Sequence, residues 1–249
     1  MKKSFFAIFP LLLLLNSCLK DEPFKKDYAG FEPFAINDGW TTSTPEAENI
    51  DRSNLEQAYR LLYSDKRFWM ARSLLVIRNG KLIAEAYPHA LADRDQFANI
   101  QSCTKSFTSI MVGIAIQDGV DISIGDKLYD IYPELFDDDL VKREMSLEDA
   151  LKMQTGLEFN NDANTLQLYQ TRKNSAGFVL SFPRLHPPGT VMNYNDGAPQ
   201  LISKAIEIKT GKTEAAYARE KLFEPLNITD WQWESAHDGT TFGAFSLYL

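Results

Sequence analysis

The sequence is poor in the residues that most often build a metal or redox site: it has two cysteines and three histidines in 249 residues. His89, His186 and His237 stand far apart, with no His-x-His or His-Glu-x-x-His spacing, so a zinc site is not expected. There is no Gly-x-Ser-x-Gly elbow for a strand-to-helix nucleophile and no glycine-rich cradle for phosphates, so no nucleotide cofactor, and no cofactor of any kind, is indicated. Positive charge is also in deficit. Lys and Arg total 26 against 34 Asp and Glu, a formal balance of −8. An acidic chain without a basic cluster argues against nucleic acid as a partner. Long apolar runs are missing too, apart from Phe5 to Leu15, which is too short to span a bilayer as a helix.

That short run has a context. Lys2 and Lys3 precede it, and it ends in Leu15-Asn16-Ser17-Cys18, which resembles the lipobox of bacterial lipoproteins. The resemblance implies cleavage before Cys18, lipid on that cysteine, and a place in the bacterial cell envelope, anchored to the outer membrane. An uncleaved anchor or an ordinary signal peptide is the alternative. Lys20-Asp21-Glu22 resembles the short charged signal that sends some such lipoproteins to the cell surface. Removing residues 1–17 takes away two lysines and no acids, so the balance moves from 26 − 34 = −8 to 24 − 34 = −10. With Cys18 lipidated, Cys103 has no partner; no disulfide is expected, and Cys103 reads as a small core residue on the first turn of a helix.

Residues 18–40 read as a charged tether containing Pro23, Gly30 and Pro33, followed by one domain over 41–249. With 44% apolar residues the chain can build a core. Leu55, Ala58, Tyr59 and Leu62 recur at helical spacing over 51–63. Two β-rich runs, 73–78 and 81–87, flank Asn79-Gly80 and predict a hairpin. A helix follows Ser102 and stops at Asp118-Gly119; a shorter one is expected over 146–153, capped by Ser146 and Asp149. The asparagine-rich stretch 158–176 gives no regular pattern. Further helices are expected over 200–210, closed by Gly211, and over 217–223. The apolar end, 242–249, either docks as a last strand or helix or belongs to an incomplete domain.

Chemistry enters at Ser102-Cys103-Thr104-Lys105. A serine and a lysine three residues apart share one helix face, so the amine can reach the hydroxyl and serve as its base. Spacing alone is weak, since roughly one such pair is expected by chance in a chain this long, and Ser17 with Lys20 is a second match. The surroundings of Ser102 carry more. Ser102-x-Thr104-Lys105 ahead of an apolar helix, the hairpin around Asn79-Gly80, the segment Leu147 to Leu157, the turn Pro188 to Asp196 and the segment Leu222 to Ile228 occur in one order. This ordered set resembles the serine β-lactamases and penicillin-binding proteins, especially the class C β-lactamases and their esterase relatives.

The resemblance implies an α+β fold of the β-lactamase/transpeptidase type, an antiparallel sheet flanked by helices plus a helical subdomain, with the C-terminal strands missing. It implies a serine hydrolase acting on an ester or amide (a β-lactam, a D-amino-acid peptide or a small ester) through an acyl-enzyme. Ser102 would be the nucleophile, Lys105 the base, and Tyr194 the carrier of the proton to the leaving group. The partners implied are a small-molecule or peptidoglycan-like substrate, and the membrane through the lipid anchor. Two positions depart from the pattern. Asp196 stands where the family has Asn or a small polar residue, and can pair with Lys105; Thr155 stands where serine is usual. The family's third motif, Lys or His then x-Gly on a late strand, has only His237-Asp238-Gly239 as a match, which reads as a loop. An inactive remnant or a binding module of the same fold is therefore the alternative.

Overall fold

The computed structural model describes residues 26–34, 36 and 39–249. The leader 1–17, Cys18 and the Lys20-Asp21-Glu22 signal lie outside the described residues. Among those described, no helix is long and apolar enough to cross a membrane. The chain divides into two compact units, one ending at Gln96 and one spanning Phe97–Leu249, where the sequence suggests one domain over 41–249.

In the first unit, helix α1 spans Arg52–Ser64 and starts at Asp51, whose carboxylate accepts the amides of Ser53 and Asn54 at 2.8 and 3.4 Å. That cap satisfies donors which a helix leaves orphaned at its start. The helix buries Tyr59, Leu62 and Tyr63. Strands β1 (Leu74–Arg78) and β2 (Lys81–Ala86) pair antiparallel, with Arg78 opposite Lys81 and an irregularity at Val76/Ile77. Asn79 and Gly80 both take positive φ, 52° and 73°, as a tight hairpin turn of this hand requires. Residues 26–34 do not behave as the tether inferred from their composition. Phe31 is buried against Tyr59, ring centroids 5.2 Å apart, and its carbonyl accepts the Glu85 amide at 2.8 Å. An aromatic ring that removes this much apolar surface from water outweighs a loop-like, charged context.

The second unit is mostly helical: α2 (Thr104–Gln117), α3 (Leu128–Ile131), α4 (Leu147–Leu151), α5 (Asn161–Gln170), α6 (Ser175–Leu180), α7 (Gly197–Thr210) and α8 (Glu214–Ala218). Helix α7 is the hub, touching α2, α3, α4, α6 and α8. The reason lies in its sequence: Ala198, Leu201, Ile202, Ala205 and Ile206 follow the i, i+3, i+4, i+7, i+8 pattern, and all five are buried. Its start must be small, because a Cβ on Gly197 would lie 2.9 Å from side-chain carbons of Phe159 and Val179. Gly211, at φ 70°, ends it as expected. The expected reciprocal cap of Ser146 and Asp149 on α4 is present.

The stretch 158–176, without pattern in sequence, contains all of α5 and the start of α6. Its asparagines act as caps: Asn160 accepts the Asp162 amide and Asn174 the Gly177 amide, both at 2.8 Å. Short strands β3 (Gln232–Trp233) and β4 (Leu247–Tyr248) pair antiparallel. The apolar end thus docks as a strand. It also grips residues 98–100, since Ile100 donates to the Leu247 carbonyl and Ala98 to that of Leu249, each at 2.9 Å.

Candidate active site

The grip on residues 98–100 sets the approach to Ser102. Asn99 accepts the Gln101 amide at 2.8 Å, and Gln101 takes a positive φ of 49°, uncommon for a residue with a side chain. Ser102 then lies in a 3₁₀ turn, Gln101–Cys103, and α2 proper begins at Thr104. In a 3₁₀ turn residues i and i+3 eclipse one another, which helps bring position 105 over position 102. Lys105 Nζ donates to Ser102 Oγ at 2.9 Å. Cys103 points the other way. It is exposed, not the core residue expected from its small size, because Thr104, Thr108 and Met111 supply the buried face of α2.

Lys105 has three N–H donors and three acceptors: Ser102 Oγ, Asp196 Oδ1 at 2.7 Å and the Ala244 carbonyl at 3.0 Å. The pairing with Asp196, foreseen from that residue's departure from the family pattern, is formed. The two side chains are only 10% and 11% exposed. Asp196 occupies the N-cap position of α7 without capping it. Asn195 takes over, accepting the Ala198 amide at 2.8 Å, and the Asp196 carboxylate is left for Lys105. Its second oxygen accepts the Thr165 hydroxyl at 2.6 Å, while its backbone amide donates to Asn161 Oδ1 at 2.8 Å.

Tyr194 meets the same ammonium through its ring, whose centroid is 5.1 Å from Lys105 Nζ. A cation over an aromatic face is held by the ring quadrupole. The phenol ring is about half exposed and lines a cavity of about 600 Å³, together with Gly156, Glu158, Phe159, Asn161 and Met192. The loop carrying Tyr194 is pinned from beneath: Gly189 donates to Gln154 O and Asn193 to Met153 O, each at 2.8 Å, and Asn193 Nδ2 donates to Phe159 O at 2.9 Å. Gly156 allows the close approach. It has φ 74°, and a Cβ there would lie 2.1 Å from the His186 carbonyl.

The Ala244 carbonyl is held just as firmly. Thr108 Oγ1 donates to Gly243 O at 2.8 Å and Trp233 Nε1 to Phe242 O at 2.9 Å. His237-Asp238-Gly239 forms a turn between the bridged residues Ser235 and Thr241, and Asp238 accepts the Ser175 amide at 2.7 Å. The structure therefore brings Ser102, Lys105 and Tyr194 together. It adds Thr165, Asn161 and Ala244 to these and to Asp196, which the sequence singles out only as a departure from the family pattern. The only signal for α5 was its density of asparagines. Among the described residues, no cluster of three or more His, Cys, Asp or Glu is arranged to hold a metal ion.

Fold and site together define a β-lactamase/transpeptidase-like protein. The chain belongs to the β-lactamase family, whose model matches residues 71–245. Among solved structures it is similar to a β-lactamase-like protein from Bacteroides dorei, at 19% identity and a TM-score of 0.65 over 80% of this chain and 59% of that one. FmtA from Staphylococcus aureus gives 17% identity and a TM-score of 0.59 over 84% of this chain and 64% of that one. The D-amino acid amidase from Ochrobactrum anthropi gives 20% and 0.52, over 68% of this chain and 49% of that one. The chain thus spans less than two thirds of each of these structures. No curated protein matches it.

Proposed function

We propose that the protein is a serine hydrolase that cleaves an ester or amide by acyl transfer, with Ser102 as nucleophile, Lys105 as its base and Tyr194 as proton carrier. The observation that carries this reading is the 2.9 Å contact of Lys105 Nζ with Ser102 Oγ at the rim of a largely buried ion pair. A base needs a lone pair, and the acceptor for the proton that Lys105 must shed is Asp196 Oδ1, 2.7 Å away. Neutral Lys105 then takes the Ser102 proton as Oγ attacks the carbonyl carbon. The tetrahedral oxyanion collapses to the acyl-enzyme when the leaving group receives a proton by way of Tyr194. Water repeats the sequence in reverse. The first-turn backbone N–H at Ser102 and the start of α2 favour the oxyanion.

Candidate substrates are a β-lactam, a D-amino-acid peptide or a small ester. The cavity beside Tyr194 supports a small molecule or a peptide end, and the likeness to a D-amino acid amidase supports an amide. The envelope location, with lipid on Cys18, belongs to the same proposal. A second reading, a binding module of the same fold, is favoured by one observation: every ammonium proton of Lys105 already has an acceptor. A fluorophosphonate probe separates the two. Labelling of the wild type but not of Ser102→Ala supports the hydrolase, and no labelling of folded wild type supports the module.

A further inference from the structure

Helix α5 grips one residue of the site at two points. Asn161 and Thr165 are four residues apart and share a helix face. The first accepts the backbone amide of Asp196, and the second donates its hydroxyl to Asp196 Oδ2 at 2.6 Å. The distance falls in the range of a charge-assisted O–H···O⁻ bond, stronger than a neutral one. Neither residue follows its usual local habit. A helical threonine commonly returns its hydroxyl to a carbonyl three or four residues back, and an aspartate at an N-cap commonly accepts its own helix's amides. Here the Thr165 hydroxyl and one oxygen of the Asp196 carboxylate are spent on each other.

The consequence is geometric. The terminal torsion of aspartate is broad and roughly two-fold, so a carboxylate held at one oxygen can turn. Held at Oδ2 by Thr165, it presents Oδ1 to Lys105 at 2.7 Å, and Lys105 is kept 2.9 Å from Ser102. Thr165 is a branched side chain with a stiff χ1, suited to fixing such an angle. We propose that Thr165, with Asn161, is a positioning residue for the reaction at Ser102: it clamps the Asp196 carboxylate so that Lys105 stays aimed at the nucleophile. The proposal rests on the hydrolase reading for its catalytic consequence, and not for the clamp itself.

Thr165→Val keeps the shape and removes the donor; Thr165→Ser keeps the donor. Labelling of Ser102 by a fluorophosphonate probe, followed against probe concentration, should show a maximal rate about tenfold or more lower in Thr165→Val, with the half-saturating concentration unchanged. Thr165→Ser should restore it to within about twofold, which a loss of packing alone would not produce. Crystal structures of wild type and Thr165→Val should show the Asp196 carboxylate turned away from its wild-type position. Asp196 unmoved in the valine variant overturns the clamp, as does valine labelling at the wild-type rate. A wild type that takes no label overturns the hydrolase reading instead, and the paired crystal structures still decide the clamp.

Discussion

Asp196 begins helix α7 but does not cap it; its carboxylate turns to Lys105, 2.7 Å away, beside the serine that Lys105 contacts. Both side chains are nearly buried. Two charges taken out of water are tolerable only as a pair, so the relationship has energetic as well as chemical consequences.

The first consequence concerns stability. Asp196→Ala leaves the Lys105 ammonium buried without its partner and should cost on the order of 3–5 kcal/mol. The double variant Lys105→Met/Asp196→Leu should cost much less, because no charge is left stranded. Urea unfolding midpoints of the two variants against the wild type test this; equal losses in the single and double variants would refute it.

Base chemistry at Lys105 makes a second prediction. Lys105→Arg keeps the positive charge but cannot give up a proton at working pH. Acylation by a fluorophosphonate probe should therefore vanish in a protein that still melts cooperatively. Substantial labelling of that variant would remove Lys105 from the role of base.

Glu214 offers a third test, away from the site. It is wholly buried at the start of α8, neither carboxyl oxygen receives a hydrogen bond from the described residues, and burial pushes its pKa up from 4.5 to about 7. Thr108 and Ser203 lie beside it, but their hydroxyls donate to Gly243 O and Thr241 O. The folded state therefore keeps the Glu214 proton to higher pH than the unfolded chain does. Stability is full below about 4.5 and is lost as pH rises towards about 7, by about 3 kcal/mol in all. Glu214→Gln should remove that part of the pH dependence; identical urea-stability profiles for the two proteins would count against it.

A fourth prediction concerns the loop under Tyr194. Gly156→Ala forces a side chain onto positive φ and into the His186 carbonyl. The loss should exceed about 1 kcal/mol, seen as a lower melting temperature with the Tyr194 loop displaced. A melting temperature equal to the wild type's would show that the loop gives way freely.

Cys18 supplies the last. If it carries lipid, cells expressing the full chain should incorporate labelled palmitate into the protein, and Cys18→Ala should abolish the label. Incorporation that persists in the alanine variant would end the lipoprotein reading.

Much of the frame was legible in the residues themselves. Asn79-Gly80 as a hairpin turn, the Ser146–Asp149 box and Gly211 as a helix stop all act through neighbours a few positions away, so sequence carries them directly. Helix α5 was not legible, because asparagines that cap helices also favour loops. Cys103 is exposed where burial was expected, because other residues supply the buried face of α2, and Phe31 is buried inside the stretch read as a tether because its ring packs on Tyr59.

The sequence by itself put Ser102 and Lys105 within reach of each other, because residues three apart on helical chain share a face. It also supplied the ordered segments that mark the family. Only the tertiary structure decided what Lys105 holds besides the serine. Asp196, 91 residues away, and Ala244, 139 residues away, reach it through the packing of α7 and the pinned segment 242–244. Thr165 reaches Asp196 across 31 residues. No local rule encodes such contacts, because they arise when separate helices bury their apolar faces on α7 and carry their polar residues to one place.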